Sequence, residues 1–111
     1  MAQAQNILAL DLGAESGRGI LGRYDGERVQ LEVLHRFPNG PVKVGARFHW
    51  DPLRLFAEMK TALGLAVKHG PVASLGVDTW GVDYAFLGEG DELLGNPRHY
   101  RDPHTETVMT Q

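Results

Sequence analysis

Two short apolar segments that each lead into an aspartate constrain the fold of this chain most strongly. Residues 7–10 are apolar and precede Asp11, and residues 75–77 precede Asp78 in the same way. Buried strands of an α/β sheet have this character. Where such strands are parallel, their carboxyl ends open at one edge of the sheet, and ligands bind there. Because a small, Gly-containing turn follows each aspartate, this edge suits a metal ion held through water and an anion held by backbone N–H groups.

A hairpin is predicted directly after the first apolar segment. Residues 18–24 and 28–37 have strand character, and the Asp25-Gly26 pair between them favours a tight turn. Three sequential antiparallel strands, the first at residues 6–12, are the simplest arrangement.

One helix, residues 52–69, is predicted between the two apolar segments. Asp51 suits the cap, Pro52 suits the first helical position, and Gly70 ends the helix. A strand–helix–strand order predicts parallel neighbours, with the helix on one face of the sheet. Gly64 is predicted to allow close approach to the sheet. The apolar residues recur at three- and four-residue spacing and predict one buried stripe, made of Leu55, Phe56, Met59, Leu63, Ala66 and Val67.

The remaining segments give weaker signals. Residues 47–50 are predicted to form a short edge strand, and the alternation in residues 82–86 predicts that the second apolar strand continues beyond Gly81. Asp102 is predicted to cap a further helix that starts at Pro103. That helix would contain Val108 and Met109 and has no stop signal, so we expect an incomplete lobe with exposed apolar surface that self-associates.

Composition indicates one globular domain over residues 1–111, of which 42% are hydrophobic. The chain has no cysteine, which excludes disulfide and thiolate chemistry, and its five histidines lack the paired spacing of a zinc site. A net charge of −3 without clustered Lys or Arg disfavours nucleic acid and anionic membranes as partners. We find no signal peptide or membrane-spanning run, so we expect a cytoplasmic protein.

The turn after Asp11 has glycines at positions 13 and 17 but fits neither common nucleotide-binding loop. A P-loop needs Gly-Lys-Ser/Thr, and the dinucleotide fingerprint needs a following helix, whereas a strand is predicted here. A hairpin of strand, Asp, turn and strand resembles the phosphate-binding hairpin of actin-like ATPases and sugar kinases. An ordinary hairpin turn with a solvated Asp11 explains the same residues equally well.

The segment from Asp78 to Asp83 places two carboxylates, a hydroxyl and an indole where a strand breaks. Carboxylates that accept sugar hydroxyls and an aromatic face such as that of Trp80 are typical of sugar sites, and Gly81 would allow close approach of a ligand. In the alternative, Trp80 is a core residue and the carboxylates cap strand ends. Composition alone favours the alternative.

Taken in order along the chain, these segments resemble the N-terminal part of the rhamnulokinases, a branch of the FGGY carbohydrate kinases. The most specific match is residues 78–83. The matching segments are residues 11–18, 35–37, 39–40, 50–51, 75–83 and 100–102. The resemblance implies an α/β fold, the ribonuclease-H-like (actin-like ATPase) mixed sheet with flanking helices of an incomplete N-terminal lobe. It also implies transfer of the γ-phosphate of ATP to the 1-hydroxyl of L-rhamnulose, with Mg²⁺.

The resemblance also implies roles for particular residues. Asp11 would lie near Mg²⁺ through water. The sugar would be contacted by Trp80, Gly81 and Asp83. The ATP phosphates would be contacted by Gly13, Ala14, Glu15, Ser16, Gly17 and Arg18. The negative charge of Glu15 is unfavourable there unless it points away or is met by Arg18.

The catalytic base and the adenosine pocket are implied to lie beyond Gln111, so the isolated chain is expected to be inactive and to bind ATP weakly or not at all. Two other functions fit parts of the sequence. One is a non-catalytic actin-like module that senses a nucleotide or holds a partner. The other is a ribonuclease-H-like nuclease, which needs carboxylates such as Asp11, Asp78 and Asp83 to converge on two metal ions.

Overall fold

A four-stranded mixed sheet is the main feature of the computed structural model, which describes residues 4–105. In chain order the elements are β1 (Gln5–Leu12), β2 (Ser16–Tyr24), β3 (Val29–Pro38), β4 (Val42–Val44), β5 (Arg47–His49), α1 (Pro52–Ala66) and β6 (Val72–Asp78). The sheet order is β3-β2-β1-β6. β1 pairs antiparallel with β2 and parallel with β6, and β2 pairs antiparallel with β3. Both the hairpin and the parallel crossover are therefore confirmed.

The described chain divides into two compact units. The first consists of residues 4–39 and 54–80 and contains the four-stranded sheet with most of α1. The second consists of residues 40–53 and 81–105 and contains the antiparallel β4–β5 pair together with irregular backbone. The edge strand predicted around residues 47–50 is confirmed as β5.

The core of the first unit is small and lies between the sheet and α1. Leu8 and Leu10 of β1 and Leu21 of β2 are buried against Ala62 and Ala66 of the helix. Their spacing reflects the two periods of the elements, since alternate strand residues share a face and helix residues four apart share a face. Packing on alanines brings the helix axis close to the sheet.

The apolar stripe predicted for α1 is wrong in part. Met59 and Ala66 pack on the core as predicted, but Phe56, Leu63 and Val67 are exposed. The buried face instead includes Ala62, whose small side chain gives a weak hydrophobic signal in the sequence. The helix is therefore rotated so that small residues face the sheet.

Close contact between α1 and the sheet depends on Gly19, and the role predicted for Gly64 is wrong. A Cβ atom added to Gly64 would meet nothing within 4 Å. A Cβ atom on Gly19 in β2 would lie 2.5 Å from the Cβ of Ala62, far closer than two such atoms can approach. The sheet glycine, not the helix glycine, makes room for the contact.

We expect Gly19→Ala to lower the free energy of unfolding by about 1–3 kcal/mol, because the added methyl group overpacks the core. Urea unfolding followed by circular dichroism would measure the change. Gly76→Ala in β6 is the matched control, since its Cβ would meet nothing within 4 Å. Equal urea midpoints for the two variants would show that the helix can pack on the sheet without a glycine at position 19.

Residues 82–86 do not form the predicted continuation of β6. The backbone instead turns at Val82, which has a φ of +66° and an exposed side chain. A β-branched residue in the left-handed region is strained, and this conformation is incompatible with an extended strand. Farther along, single bridges join Leu87 to Leu93 and His49 to Arg98.

The helix predicted at Asp102 begins as a 3₁₀ turn at Pro103–Thr105. Val108 and Met109, which were expected to continue it, lie outside the described residues.

Apolar side chains of β3, including Val29, Leu31 and Val33, are exposed, which confirms the expected apolar surface. Self-association through it stays a prediction that light scattering would measure.

Within residues 4–105, no helix has the length and apolar character needed to cross a membrane.

Candidate functional site

Asp11 and Asp78 occupy paired positions at the carboxyl ends of β1 and β6. Paired residues of parallel neighbours project from the same face of a sheet. Asp11 is half-buried and Asp78 is exposed. The prediction that both aspartates emerge at the same edge is therefore confirmed.

The turn between β1 and β2 is stabilised by a hydrogen bond within its own backbone and by two hydrogen bonds from Asn39. The N–H of Gly13 donates to the carbonyl of Ser16 at 2.9 Å, and a Cβ on Gly13 would lie 2.7 Å from that same oxygen. Asn39, just after β3, donates from Nδ2 to the carbonyl of Gly13 at 2.8 Å and from its backbone N–H to the carbonyl of Glu15 at 2.9 Å. Residue patterns had not assigned Asn39 a role in the site, although it lies in a matching segment of the resemblance.

Arg18 connects the turn to Asp11. Its Nη1 donates to Oδ2 of Asp11 at 2.6 Å, and its Nη2 donates to Oγ of Ser16 at 3.0 Å. The side chain of Glu15 is exposed, and Ala14 is half-buried. Arg18 is therefore used to neutralise Asp11, and the charge of Glu15 is accommodated by exposure to water.

Gly17 has a packing role within the sheet. It is buried in β2, and a Cβ added to it would lie 2.2 Å from the ring of Phe37 in β3. Phe37 is itself buried, and its ring centroid lies 5.5 Å from that of His35. The glycine at position 17 is thus required by the sheet whether or not a ligand approaches it.

The three predicted sugar-site residues fall in different surroundings. Trp80 is half-buried at the end of the first unit. Gly81, in the second unit, is exposed, and a Cβ added there would meet nothing within 4 Å. Asp83, also in the second unit, accepts a hydrogen bond at 2.7 Å from Nε1 of Trp50. The open space at Gly81 and the fixed carboxylate of Asp83 are both compatible with ligand binding.

A stack of aromatic rings lies behind Asp83. The ring of buried Trp50 is 4.2 Å from that of His99, which in turn is 4.3 Å from that of Tyr100. Nδ1 of His99 accepts the backbone N–H of Arg101 at 3.0 Å, so this nitrogen is unprotonated. Burial lowers the pKa of His99; the charge of Arg101 also lowers it, and Asp83 opposes both.

We expect the second unit to lose stability as the pH falls below about 6.5, the ordinary pKa of histidine. Because the folded-state pKa of His99 is lowered, the unfolded chain takes up the proton first, and acid favours unfolding. Thermal unfolding between pH 7.5 and 5 would show a falling midpoint. His99→Asn keeps an acceptor near Nδ1 but does not titrate, so its midpoint should fall less steeply. An equal slope would assign the effect to another group.

Asp102 is a buried anchor of the second unit, and its predicted capping role is confirmed. It accepts the backbone N–H of His104 at 3.1 Å and that of Phe48 at 2.8 Å. Burial raises its pKa, but these two N–H groups and the charges of Arg47 and Arg98 outweigh burial and lower the pKa overall. Asp102 therefore stays ionised and joins β5 to the segment that follows residue 98.

A pocket of about 330 Å³ opens in the second unit beside Asp83. It is lined by Asp83, Tyr84, Ala85, Phe86, Leu94, Gly95, Asn96, Pro97, Arg98 and His104. Its size is at the lower end for small-molecule sites, and it combines aromatic walls with charged groups. Sequence patterns missed Arg98 and His104, because only the folded backbone brings them to the same pocket as Asp83.

Among residues 4–105, no group of three or more His, Cys, Asp or Glu side chains is placed to hold a metal ion directly. The nuclease hypothesis therefore lacks a carboxylate cluster in this part of the chain. Mg²⁺ commonly keeps its water and takes one or two carboxylates plus substrate phosphates. The hard oxygens of Asp11 fit that role.

Comparison with known proteins shows which sequences this chain is similar to. The chain is 47% identical over 102 residues to a rhamnulokinase of Bacteroides thetaiotaomicron and 43% identical over 106 residues to one of Halalkalibacterium halodurans. The chain is a relative of the rhamnulokinases. These alignments cover 91% and 94% of the chain but only 21% and 22% of the relatives. The chain therefore spans about a fifth of the length of the rhamnulokinases it matches.

Solved structures confirm the fold class. Gluconate kinase from Lactobacillus acidophilus superposes with a TM-score of 0.78 at 18% identity, covering 97% of this chain and 22% of that enzyme. The mixed sheet with its helix thus resembles the N-terminal lobe of the FGGY sugar kinases, the actin-like ATPase fold. No protein-family model matches the chain. The resemblance of its segments to rhamnulokinases is confirmed by the sequence relatives.

Proposed function

We propose that this chain is the part of an ATP-dependent ketose kinase that binds the ATP phosphates and contacts the sugar. L-rhamnulose is the favoured substrate. The observation that carries the proposal is the 47% identity to a rhamnulokinase over 102 residues. The strand–Asp–turn–strand geometry around Asp11 supports it. ATP and the sugar are the proposed small-molecule partners, and a cytoplasmic location is part of the proposal.

The proposed phosphate-binding residues are those of the β1–β2 turn and the start of β2, from Gly13 to Arg18. Since the N–H of Gly13 is used inside the turn, the N–H groups of Ala14 and Glu15 are the proposed backbone donors. Arg18 adds a planar cation suited to phosphate oxygens, beside the hydroxyl of Ser16. Bound Mg²⁺ would supply positive charge to the transferring group, and Asp11 would orient it through water.

The proposed sugar contacts are Trp80, Gly81 and Asp83. The indole N–H of Trp50 holds the carboxylate of Asp83 in place through a hydrogen bond to Oδ2, and this carboxylate is proposed to accept a sugar hydroxyl. The open space at Gly81 allows a ligand to approach the backbone. Trp80 offers an aromatic face of the kind that covers the C–H surface of a sugar.

The isolated chain is expected to show no L-rhamnulose phosphorylation in a coupled assay. We expect the catalytic base and the adenosine pocket to lie outside the segment that matches the relatives, and phosphoryl transfer needs base, metal and aligned phosphate together. Turnover that persists after contaminating kinase is removed would contradict this expectation.

A chimera tests the proposed function directly. The chain would replace the aligned segment of the Bacteroides thetaiotaomicron rhamnulokinase, which is 47% identical over 102 residues. We expect the chimera to phosphorylate L-rhamnulose with ATP and Mg²⁺. A folded chimera that binds ATP but transfers no phosphate to any ketose would favour the non-catalytic actin-like module instead.

A further inference from the structure

Arg18 already forms an ion pair with Asp11, whose carboxylate is proposed to anchor the metal. Its Nη1 lies 2.6 Å from Oδ2 of Asp11 in an ion pair whose side chains are 28% and 39% exposed. Partial burial weakens screening by water and salt, so the pair is stronger than a fully exposed one. A free divalent cation approaching Asp11 meets a charge that is already neutralised.

The same guanidinium also has an unmet hydrogen-bond donor. Nε of Arg18 is buried and has no hydrogen-bond partner within the part of the chain that the structure describes. A buried donor without an acceptor is unfavourable, and an arriving acceptor removes that cost. Phosphate oxygens are suitable acceptors, because the guanidinium fork binds them through two N–H groups at once.

We infer that Arg18 is a charge switch that makes the metal and the phosphates bind together. Without nucleotide, Arg18 neutralises Asp11 and keeps free divalent cations away. With a polyphosphate present, Arg18 transfers its hydrogen bonds to phosphate oxygens and releases Asp11 to hold the metal through water. Among residues 4–105 no group of three or more His, Cys, Asp or Glu side chains could hold a metal ion, so phosphate and water oxygens would supply most of the ligands of the metal. This inference rests on the proposed function but does not require catalysis.

The first test measures Mn²⁺ binding, as a paramagnetic substitute for Mg²⁺, to the chain without nucleotide. We expect Arg18→Gln to bind Mn²⁺ roughly fivefold or more tightly than the wild type, as expected for loss of one competing ion pair. Arg23→Gln is the matched control, since it breaks the other β2 ion pair, with Glu32 at 2.7 Å. Adding Asp11→Asn to Arg18→Gln should abolish the gain.

The second test removes Asp11 instead of Arg18 and measures phosphate binding instead of metal binding. It therefore does not depend on how Arg18→Gln folds. Calorimetry would measure metal-free pyrophosphate binding to Asp11→Asn, in which Arg18 is released, and to Asp78→Asn, which makes the same change in charge at the paired position. By linkage, the Asp11 variant should gain roughly fivefold over the Asp78 variant.

Equal Mn²⁺ affinities for the Arg18 and Arg23 variants, or equal pyrophosphate affinities for the two aspartate variants, would overturn the switch. An inactive chimera with these differences intact would instead overturn the proposed kinase function. The two failures are therefore distinguishable.

Discussion

Asp11→Asn in the chimeric kinase is expected to lower kcat roughly 100-fold while KM for the sugar changes by no more than about twofold. The charge of Asp11 is proposed to orient the metal that stabilises the transferring phosphoryl group. That charge matters most in the transition state, so its loss affects the chemical step more than the binding of sugar. Steady-state kinetics at saturating ATP, with the sugar concentration varied, would separate the two effects.

Asp78→Asn is the control for this experiment. Asp78 lies at the paired position of the neighbouring strand but has no assigned role toward the metal, so a much smaller loss is expected. An Asp11→Asn enzyme with unchanged kcat would remove the metal role from this residue and leave it as the partner of Arg18 alone.

Gly81→Val is expected to act in the opposite way, raising KM for the sugar roughly tenfold or more before kcat falls. A Cβ at this position meets nothing within 4 Å, so the branched side chain would enter space open to a ligand. The φ of Gly81 lies outside the left-handed region, so valine is not excluded by the backbone there. The change therefore tests the ligand contact and not the fold.

Gly76→Val supplies the matched control, because a Cβ on Gly76 also meets nothing within 4 Å and valine suits a strand. Its KM should match that of the parent chimera. If Gly81→Val has normal sugar affinity as well, Gly81 does not contact the sugar.

The pairing of β1 with β6 was predictable because the signals involved are local. Each apolar run ends in an aspartate, and the predicted helix between them has an aspartate at the expected cap position, a first-position proline and a terminal glycine. Once the crossover is parallel, Asp11 and Asp78 must reach the same edge. The fold class followed from this order of elements.

Contacts between distant residues could not be predicted in the same way. The Trp50–Asp83 hydrogen bond joins residues 33 apart, and nothing in either local sequence indicates the other. Likewise, periodicity identified an apolar helix but selected the wrong face, because Ala62 packs against a glycine and contributes little hydrophobic signal. The strained φ of Val82 redirected a segment whose alternation favoured a strand.

The two hydrogen bonds from Asn39 to the β1–β2 turn make this turn depend on a residue that follows β3. A designer who copied only β1, the turn and β2 would leave the carbonyls of Gly13 and Glu15 without these donors. The same copy would leave Gly17 without the ring of Phe37. A graft of the proposed phosphate-binding turn should therefore carry β1, β2 and β3 together and end at Asn39.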